Sequence, residues 1–262
     1  MDYNRRFGGV ARLYSEQGRQ NLQGAHIAVV GVGGVGSWAA EALVRSGVGH
    51  ITLIDFDQVA ESNINRQIHA LDETLGMAKV DALKARFAQI NPDCQVDAVE
   101  EFVEPESKDQ SQPQPLPSNW PQILPCQPHA LIDACDQVRA KTLLAAWAVK
   151  NKIPFITVGA AGGKELAQYV EVADLFNVTH DPLLAQLRYR LRKEYGFPRD
   201  SKMKIRCVFS RENVKQPALE DASCEVDGSL NCSGYGSAVA VTATFGMVAA
   251  GQILHDLAHR KA

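Results

Sequence analysis

The feature that most constrains this chain is a glycine-rich segment at residues 31–36, which reads Gly-Val-Gly-Gly-Val-Gly. The apolar run His-Ile-Ala-Val-Val precedes it at residues 26–30, and a segment with helical spacing follows at residues 37–45. Glycine lets the backbone approach a phosphate closely, and a helix N-terminus offers unpaired N–H groups to an anion. The strand–turn–helix context therefore predicts a nucleotide site at Gly31, Gly33, Gly34 and Gly36.

Strand-like and helix-like segments alternate along the chain. Short apolar runs predict strands at residues 26–30, 50–54, 95–99, 130–132 and 154–158. Helical spacing predicts helices at residues 37–45, 77–90 and 139–150. This alternation indicates an α/β, Rossmann-type, doubly wound fold with a mostly parallel sheet and a C-terminal extension. The length of 262 residues suits one such domain, so we expect residues 1–262 to form a single unit.

Two regions interrupt the alternation. Residues 105–128 contain seven prolines among polar side chains, a composition that predicts a flexible surface loop. The composition of residues 181–233 predicts a basic helix followed by a mobile loop. Asp181 and Pro182 suit the N-cap and first position of that helix. We expect the loop at residues 216–233 to lie near the nucleotide site.

Composition narrows the class of protein. The net charge of −3 excludes a uniformly basic nucleic-acid-binding protein, so any RNA contact must be local. Six scattered cysteines without a C-x-x-C pair argue against a zinc ribbon and a secreted disulfide scaffold. The N-terminus does not have a signal-peptide pattern, so we expect a cytoplasmic protein. The uncharged segment 238–254 contains threonine, glycine and glutamine, and we expect a buried helix rather than a membrane span.

The acid at the end of the second predicted strand extends the nucleotide prediction. Asp55 lies nineteen residues beyond Gly36, where a carboxylate can accept hydrogen bonds from ribose hydroxyls. These features suit NAD as well as ATP. An NAD-dependent oxidoreductase is therefore one function that the pattern leaves open.

The residues after Asp55 favour ATP. The segment from Asp55-Phe-Asp57 to Asn63-Ile-Asn-Arg66-Gln67 resembles the D-x-D…N-x-x-R-Q signature of the ubiquitin-activating-enzyme-like superfamily, which includes the ThiF and MoeB adenylyltransferases. Gly76-Met-Ala-Lys79 and Asp133-Ala-Cys-Asp136 resemble its next two motifs. Asn4-Arg-Arg6-Phe resembles the short helix that carries an arginine to the ATP of a neighbouring subunit.

The resemblance implies a role for each matched residue. Adenylation brings a carboxylate to the α-phosphate of ATP, so the site must concentrate positive charge. Lys79 and Arg66 would supply that charge, and Arg6 would arrive from the other subunit of a homodimer. Asn63 would orient phosphate oxygens, Asp55 would fix the ribose, and Asp136 would hold Mg²⁺. Asp57 belongs to the same nucleotide signature.

Longer segments resemble one branch of the superfamily, the tRNA threonylcarbamoyladenosine dehydratases. They are residues 6–14, 33–42, 65–71, 207–210, 232–236 and 241–246. The resemblance implies ATP-dependent dehydration of threonylcarbamoyladenosine beside the tRNA anticodon, a ligase-type activation through an acyl-adenylate. An internal nitrogen then closes the ring, and effective molarity makes such attack fast. An adenylyltransferase for the C-terminus of a ubiquitin-like sulfur carrier would share every ATP residue, so that alternative stays open.

Two further predictions concern the substrate and a partner. Cys232, among glycine and serine, is the candidate for a thiol that accepts an acyl group or a persulfide from a cysteine desulfurase. Cys207 lies in an apolar run that favours burial. The helix after Pro182 and the residues that follow it predict an exposed basic face for tRNA phosphates. That face comprises Arg188, Arg190, Arg192, Lys193, Arg199, Lys202, Lys204 and Arg206.

Overall fold

The computed structural model describes residues 2–104, 118–215 and 235–260. The helices are α1 Tyr3–Gln23, α2 Gly36–Arg45, α3 Lys79–Ile90, α4 Val138–Lys150, α5 Pro182–Tyr195 and α6 Val239–Ala258. The strands are β1 His26–Val30, β2 His50–Ile54, β3 Gln95–Val99, β4 Ala130–Asp133, β5 Phe155–Val158, β6 Val170–Asp174 and β7 Arg206–Ser210. Short 3₁₀ turns occur at Glu61–Asn63, Asp72–Thr74 and Ala167–Tyr169.

All seven strands form one sheet in the order β3-β2-β1-β4-β5-β7-β6. Every neighbouring pair is parallel except β6 and β7, which run antiparallel at one edge. The strand order reverses direction between β1 and β4, a switch point at which ligands bind beyond the carboxyl ends of the strands. The predicted Rossmann-type fold is confirmed. The C-terminal part adds β6 and β7 to the same sheet, and α6 packs against one of its faces.

Successive residues of β1 point to opposite faces of the sheet, as strand geometry requires. Ile27 and Val29 pack with the helices α2 and α6 on one face. Ala28 and Val30 pack with residues of α4 and α5 on the other. Both faces are therefore covered, which explains why the predicted central strands read as continuous apolar runs.

The structure extends or corrects several predicted segments. The short N-terminal helix is longer than expected, and α1 has a break at Ser15, whose φ is 70°. Residues 239–254 of the uncharged segment lie in α6, and Ala238 is its N-cap. Within the described residues no helix has the length and apolar character to cross a membrane. The predicted loop 105–128 requires a correction at Trp120, which is buried and packs edge-on against Trp147 at 5.3 Å. Residues 105–117 and 216–233 of the predicted loops lie outside the described residues.

Candidate nucleotide-binding active site

The glycine segment forms a tight turn between β1 and α2. Gly31 has a φ of 79°, and a Cβ atom there would lie 2.7 Å from the backbone nitrogen of Cys135. A Cβ atom on Gly36 would lie 1.8 Å from the carbonyl oxygen of Gly31. Larger residues at these two positions would therefore force the turn apart. Gly33 and Gly34 lie between them and line a cavity of about 290 Å³.

Asp55 connects this turn to the end of β2. Its Oδ2 accepts a hydrogen bond from the backbone N–H of Val32 at 2.7 Å, and its Oδ1 accepts one from that of Asp57 at 2.9 Å. Burial raises the pKa of Asp55, while Lys79 and these backbone donors oppose that rise. Asp55 lines the cavity, so the same carboxylate shapes the turn and faces the ligand space.

Lys79 stands at the start of α3 and is buried. Its Nζ lies 2.6 Å from Oδ2 of Asp57, and its backbone N–H donates to the carbonyl oxygen of Asp57 at 3.0 Å. Both residues line the cavity. Asp57 is half exposed, so the pair sits at the edge of the cavity with the ammonium on the inner side.

Arg66 also lines the cavity. Its Nη1 donates to the carbonyl oxygen of Ser62 at 2.7 Å and to Oδ1 of Asn65 at 2.8 Å. Its own carbonyl oxygen accepts a hydrogen bond from Nε1 of Trp38 at 2.9 Å. Ser62 and Asn65 therefore position the side chain of Arg66, and Trp38 of α2 positions its backbone.

The side chain of Asn63 stabilises the turn in which it lies. Its Oδ1 accepts a hydrogen bond from the backbone N–H of Ala60 at 3.1 Å. The side chain is not part of the cavity wall formed by the described residues. The role of Asn63 at the phosphates stays a prediction.

The turn after β4 brings a carboxylate and a thiol to the cavity. Asp136 and Cys135 both line it. The thiol of Cys135 donates to Oδ1 of Asp133 at 3.0 Å, and burial raises its pKa well above the usual value. Burial therefore disfavours the nucleophilic thiolate form of Cys135.

A buried ion pair supports that turn, and sequence reasoning missed it. Nζ of Lys141 lies 3.1 Å from Oδ2 of Asp133, and both side chains are fully buried. Thr157 Oγ1 donates to the same carboxylate oxygen at 2.6 Å. The signal available in the sequence was a lysine inside an otherwise apolar helix, eight residues after Asp133.

The loop after β5 and the N-terminus of α5 form the opposite wall of the nucleotide cavity. Oδ1 of Asp181 accepts from the backbone N–H of Leu184, and Oδ2 accepts from that of Ala160, each at 2.9 Å. The predicted N-cap is therefore confirmed, and the same carboxylate holds the loop. Tyr235, Ser237 and Thr242 lie along the cavity beside this loop.

Arg6 lies away from the nucleotide cavity of its own chain. Its Nη1 donates to the carbonyl oxygen of Ile90 at 2.5 Å. It borders a second, more open cavity of about 750 Å³ together with Arg45 and Arg86. An isolated chain therefore leaves Arg6 outside the site that the sequence assigns to it, and the role across a subunit interface stays a prediction.

The two cysteines singled out from the sequence have different outcomes. Cys207 is fully buried in β7, and burial raises its pKa well above the usual value, so the expected packing role is confirmed. Cys232 lies outside the described residues.

The basic face predicted around α5 is only partly exposed. Nη1 of Arg188 donates to the carbonyl oxygens of Leu175 and Val178, at 2.9 and 2.8 Å. Arg190 pairs with Glu194, Arg192 donates to the carbonyl oxygens of Pro198 and Arg199, and Arg206 pairs with Asp256. The prediction of an exposed basic face is wrong for these arginines, because their guanidinium groups are used within the fold. Lys193, Arg199, Lys202 and Lys204 are exposed.

Comparison with known proteins decides the family. The model of the ThiF family matches residues 3–261. The chain belongs to the ThiF family.

Its relatives include the tRNA threonylcarbamoyladenosine dehydratase of Escherichia coli strain K12, which is 44% identical over 97% of this chain and 94% of that protein. The Haemophilus influenzae dehydratase is 40% identical over 99% of this chain and 96% of that protein. A crystal structure of the Escherichia coli enzyme, TcdA, in complex with ATP matches with a TM-score of 0.84 and 43% identity, covering 98% of this chain and 96% of that one.

Proposed function

We propose that this ThiF-family protein is an ATP-dependent tRNA threonylcarbamoyladenosine dehydratase. One cavity brings together the glycine turn, the ammonium of Lys79, the guanidinium-bearing Arg66 and the carboxylate of Asp136. That combination of groups carries the proposal. Similarity to dehydratases over nearly the whole chain supports this substrate over a sulfur-carrier protein or NAD(H).

The chemistry begins with two anions. A carboxylate oxygen of the modified adenosine attacks the α-phosphorus of ATP, and the bond from that phosphorus to the pyrophosphate oxygen breaks. Charge grows on the pentavalent phosphate and on the leaving oxygen. Lys79 and Arg66 neutralise that charge, and the N–H groups of the glycine turn bind phosphate oxygens without reorganising.

The second step needs no protein nucleophile. A nitrogen within the same substrate attacks the activated acyl carbon, loses a proton, and expels AMP with the former carboxylate oxygen. The ring closes with net loss of water from the nucleoside. Cys135 and Cys207 have raised thiol pKa values, which supports an intramolecular route that uses neither thiol.

Asp136 suits a ligand for Mg²⁺, because a carboxylate is a preferred donor to this hard cation and the residue lines the cavity that would hold ATP. Bound there, Mg²⁺ would neutralise phosphate charge. The half-exposed carboxylate of Asp57 lies in the same cavity, where it holds Lys79 in place.

A homodimer would complete the site. Arg6 lies outside its own chain's nucleotide cavity and at a separate arginine-containing surface, which fits a residue that serves a neighbouring subunit. The exposed group Lys193, Arg199, Lys202 and Lys204 offers phosphate contacts to tRNA. A cytoplasmic location follows from a tRNA substrate.

Cys232 stays a proposed acceptor for an acyl group or for sulfur from a cysteine desulfurase. Its chemistry is separable from the ATP step, since the intramolecular route does not require it. Turnover by Cys232→Ser at the wild-type rate would assign the residue to a sulfur-transfer role or to none.

The decisive experiment incubates the purified protein with ATP and tRNA that carries threonylcarbamoyladenosine. Nucleoside mass spectrometry should show a product lighter by one water, with AMP and pyrophosphate formed in equal amounts. Pyrophosphate release driven by a sulfur-carrier protein, with no change in the nucleoside, would instead establish the adenylyltransferase alternative.

A further inference from the structure

A second group of chemically active side chains lies at the opposite end of the sheet from the glycine turn. His26 and His50 are the first residues of β1 and β2 and are paired directly across the two strands. Cys126 approaches them from the segment that leads into β4. One ring nitrogen of each histidine and the Sγ of Cys126 all lie within 4.8 Å of one another.

The spacing of these atoms suits a tetrahedral metal. Nδ1 of His26 lies 3.4 Å from Sγ of Cys126. In a tetrahedral zinc site, with Zn–N near 2.0 Å and Zn–S near 2.3 Å, the nitrogen and sulfur ligands are about 3.5 Å apart. Imidazole and thiolate together are donors that favour zinc over magnesium or calcium.

Each histidine also has a partner that fixes its other nitrogen. Nε2 of His26 lies 2.8 Å from Oγ1 of Thr52, and Nε2 of His50 lies 2.5 Å from Oδ2 of Asp97. Metal-binding histidines usually donate their second N–H to an oxygen acceptor, which sets the tautomer and orients the ring. Nδ1 of His26 faces Sγ of Cys126, and the same ring also interacts with the backbone of Gln127. A metal ion bound at Nδ1 of both rings would leave each Nε2 contact in place.

We propose that His26, His50 and Cys126 bind one Zn²⁺ ion, with water as the fourth ligand. Cys126 is exposed, so the ion and the water can enter from solvent. None of the three residues lines the nucleotide cavity formed by the described residues. The ion joins two strands to the segment before β4 and therefore acts on stability rather than on ATP chemistry.

The stacking of the His26 and His50 rings limits the affinity that we expect for Zn²⁺. The two imidazoles stack with centroids 3.8 Å apart and planes within 12°, so their in-plane lone pairs run side by side. Binding requires one ring to turn about its Cβ–Cγ bond. His26 is more deeply buried than His50, so the His50 ring is the one that turns. Its Nε2 lies close to the rotation axis, so the turn moves Nδ1 while Nε2 stays near Asp97. The cost of that rotation makes the site weaker than a fully preformed one.

Cobalt(II) titration of the full-length protein, reduced and stripped of metal, tests the site. One equivalent of Co²⁺ should produce the visible bands of a tetrahedral complex together with an ultraviolet thiolate-to-cobalt band, and Zn²⁺ should displace it. Cys126→Ser should lose the thiolate band and weaken binding by about 100-fold, on the scale of lost metal-site groups. Cys94→Ser removes a nearby thiol that does not belong to this cluster, so it should titrate like the wild type.

A second measurement keeps the proposal testable if the histidine variants fold poorly. Zn²⁺ should raise the melting temperature of the wild type and of Cys94→Ser, but not that of Cys126→Ser. Asp97→Asn should retain the thiolate band with affinity reduced by about 10-fold or more. A thiolate band that persists in Cys126→Ser, or a wild type that shows no tetrahedral cobalt spectrum, would overturn the site.

Discussion

The ammonium of Lys141 and the carboxylate of Asp133 form an ion pair at 3.1 Å with no solvent exposure of either side chain. Burial alone would lower the pKa of Lys141, but Asp133 and other nearby groups outweigh it and the pKa is raised. The charged pair is therefore held beneath the turn that carries Cys135 and Asp136. Cys135 and Asp136 line the nucleotide cavity, whereas Lys141 and Asp133 do not. The buried ion pair therefore supports the cavity wall from behind without contacting the cavity.

Removing one member of the pair should destabilise the fold strongly. Lys141→Met leaves the Asp133 carboxylate buried without its cation, which costs about 3–5 kcal/mol in comparable cases. Urea denaturation should show this loss, while Lys150→Met, an exposed lysine of the same helix, should change the free energy of unfolding by less than about 0.5 kcal/mol. Replacing both residues by apolar ones should recover part of the loss. A double variant no more stable than Lys141→Met would contradict the pair's assignment.

The phosphate-binding cations should be essential for activation but not for folding. Lys79→Ala and Arg66→Ala should each reduce ATP-dependent pyrophosphate release by about 100-fold or more, the scale seen when a charge-stabilising group is lost. Lys84→Ala, at an exposed position of α3, is the matched control and should keep its activity. Near-normal turnover of either variant, with its melting temperature preserved, would remove that residue from the site.

His69 should make the fold sensitive to mild acid. The ring is buried, and burial together with Lys79 and Arg86 lowers its pKa from 6.5 to about 4. Between those values the unfolded chain binds more protons than the folded one, so stability falls as the pH drops from about 6.5 to 4. The 2.5-unit difference corresponds to about 3 kcal/mol at the acid end.

The variant His69→Leu should have a flatter dependence of unfolding free energy on pH across that window. The dependence should not disappear, because burial and the neighbouring His50 lower the pKa of His26 to about 4 as well. His180→Asn, at an exposed histidine with a positive φ that asparagine tolerates, should keep the wild-type slope. Equal slopes for His69→Leu and the wild type would show that His69 is not the titrating group.

Much of the fold could be predicted from the sequence, because the central strands are short apolar runs bounded by turn residues. The bounds of β1, β2 and β3 agree with the prediction. The strands β6 and β7 were not predicted. β6 is a half-buried edge strand whose sequence, Val-Glu-Val-Ala-Asp, lacks a continuous apolar run, and its antiparallel pairing with β7 depends on contacts distant in sequence.

The sequence predictions for the candidate site rest on local motifs. The glycine turn and Asp55 were predicted from a local pattern, and Lys79 and Asp136 from the family resemblance. Gly31, Gly33 and Gly34 of the turn line one cavity together with Asp55, Lys79 and Asp136, whereas Gly36 does not. The supporting contacts could not be predicted, because they join residues that become neighbours only in the folded chain. Arg188 illustrates this, since its two carbonyl acceptors lie on the segment before α5 and no spacing rule identifies them.

Arg6 should act on the partner subunit's ATP. Arg6→Ala and Lys79→Ala chains should each be inactive alone. After equal mixing and random exchange, half of the dimers are mixed and each has one intact composite site, so activity should reach about a quarter of the wild type. Absence of recovery, after mass spectrometry has confirmed that mixed dimers form, would place Arg6 outside the site.

The last prediction separates tRNA recognition from ATP chemistry. Lys193, Arg199 and Lys202 are exposed and lie around the C-terminal end of α5, whereas Arg188 serves the fold and is left unchanged. Replacing the three with alanine should weaken tRNA binding and reduce the salt dependence, because fewer counterions are released when fewer phosphates are neutralised.

Each lost phosphate contact should make the negative slope of log affinity against log salt shallower by about 0.7 to 0.9. ATP affinity should not change, since none of the three residues lines the nucleotide cavity. The matched control replaces Lys84, Lys150 and Arg260 with alanine, which removes the same charge from other exposed positions. If the two triple variants showed the same reduction in slope, overall charge would explain the effect and the tRNA surface would have to lie elsewhere. A specific loss in the first variant, with its ATP affinity intact, would place the tRNA backbone along the C-terminal end of α5.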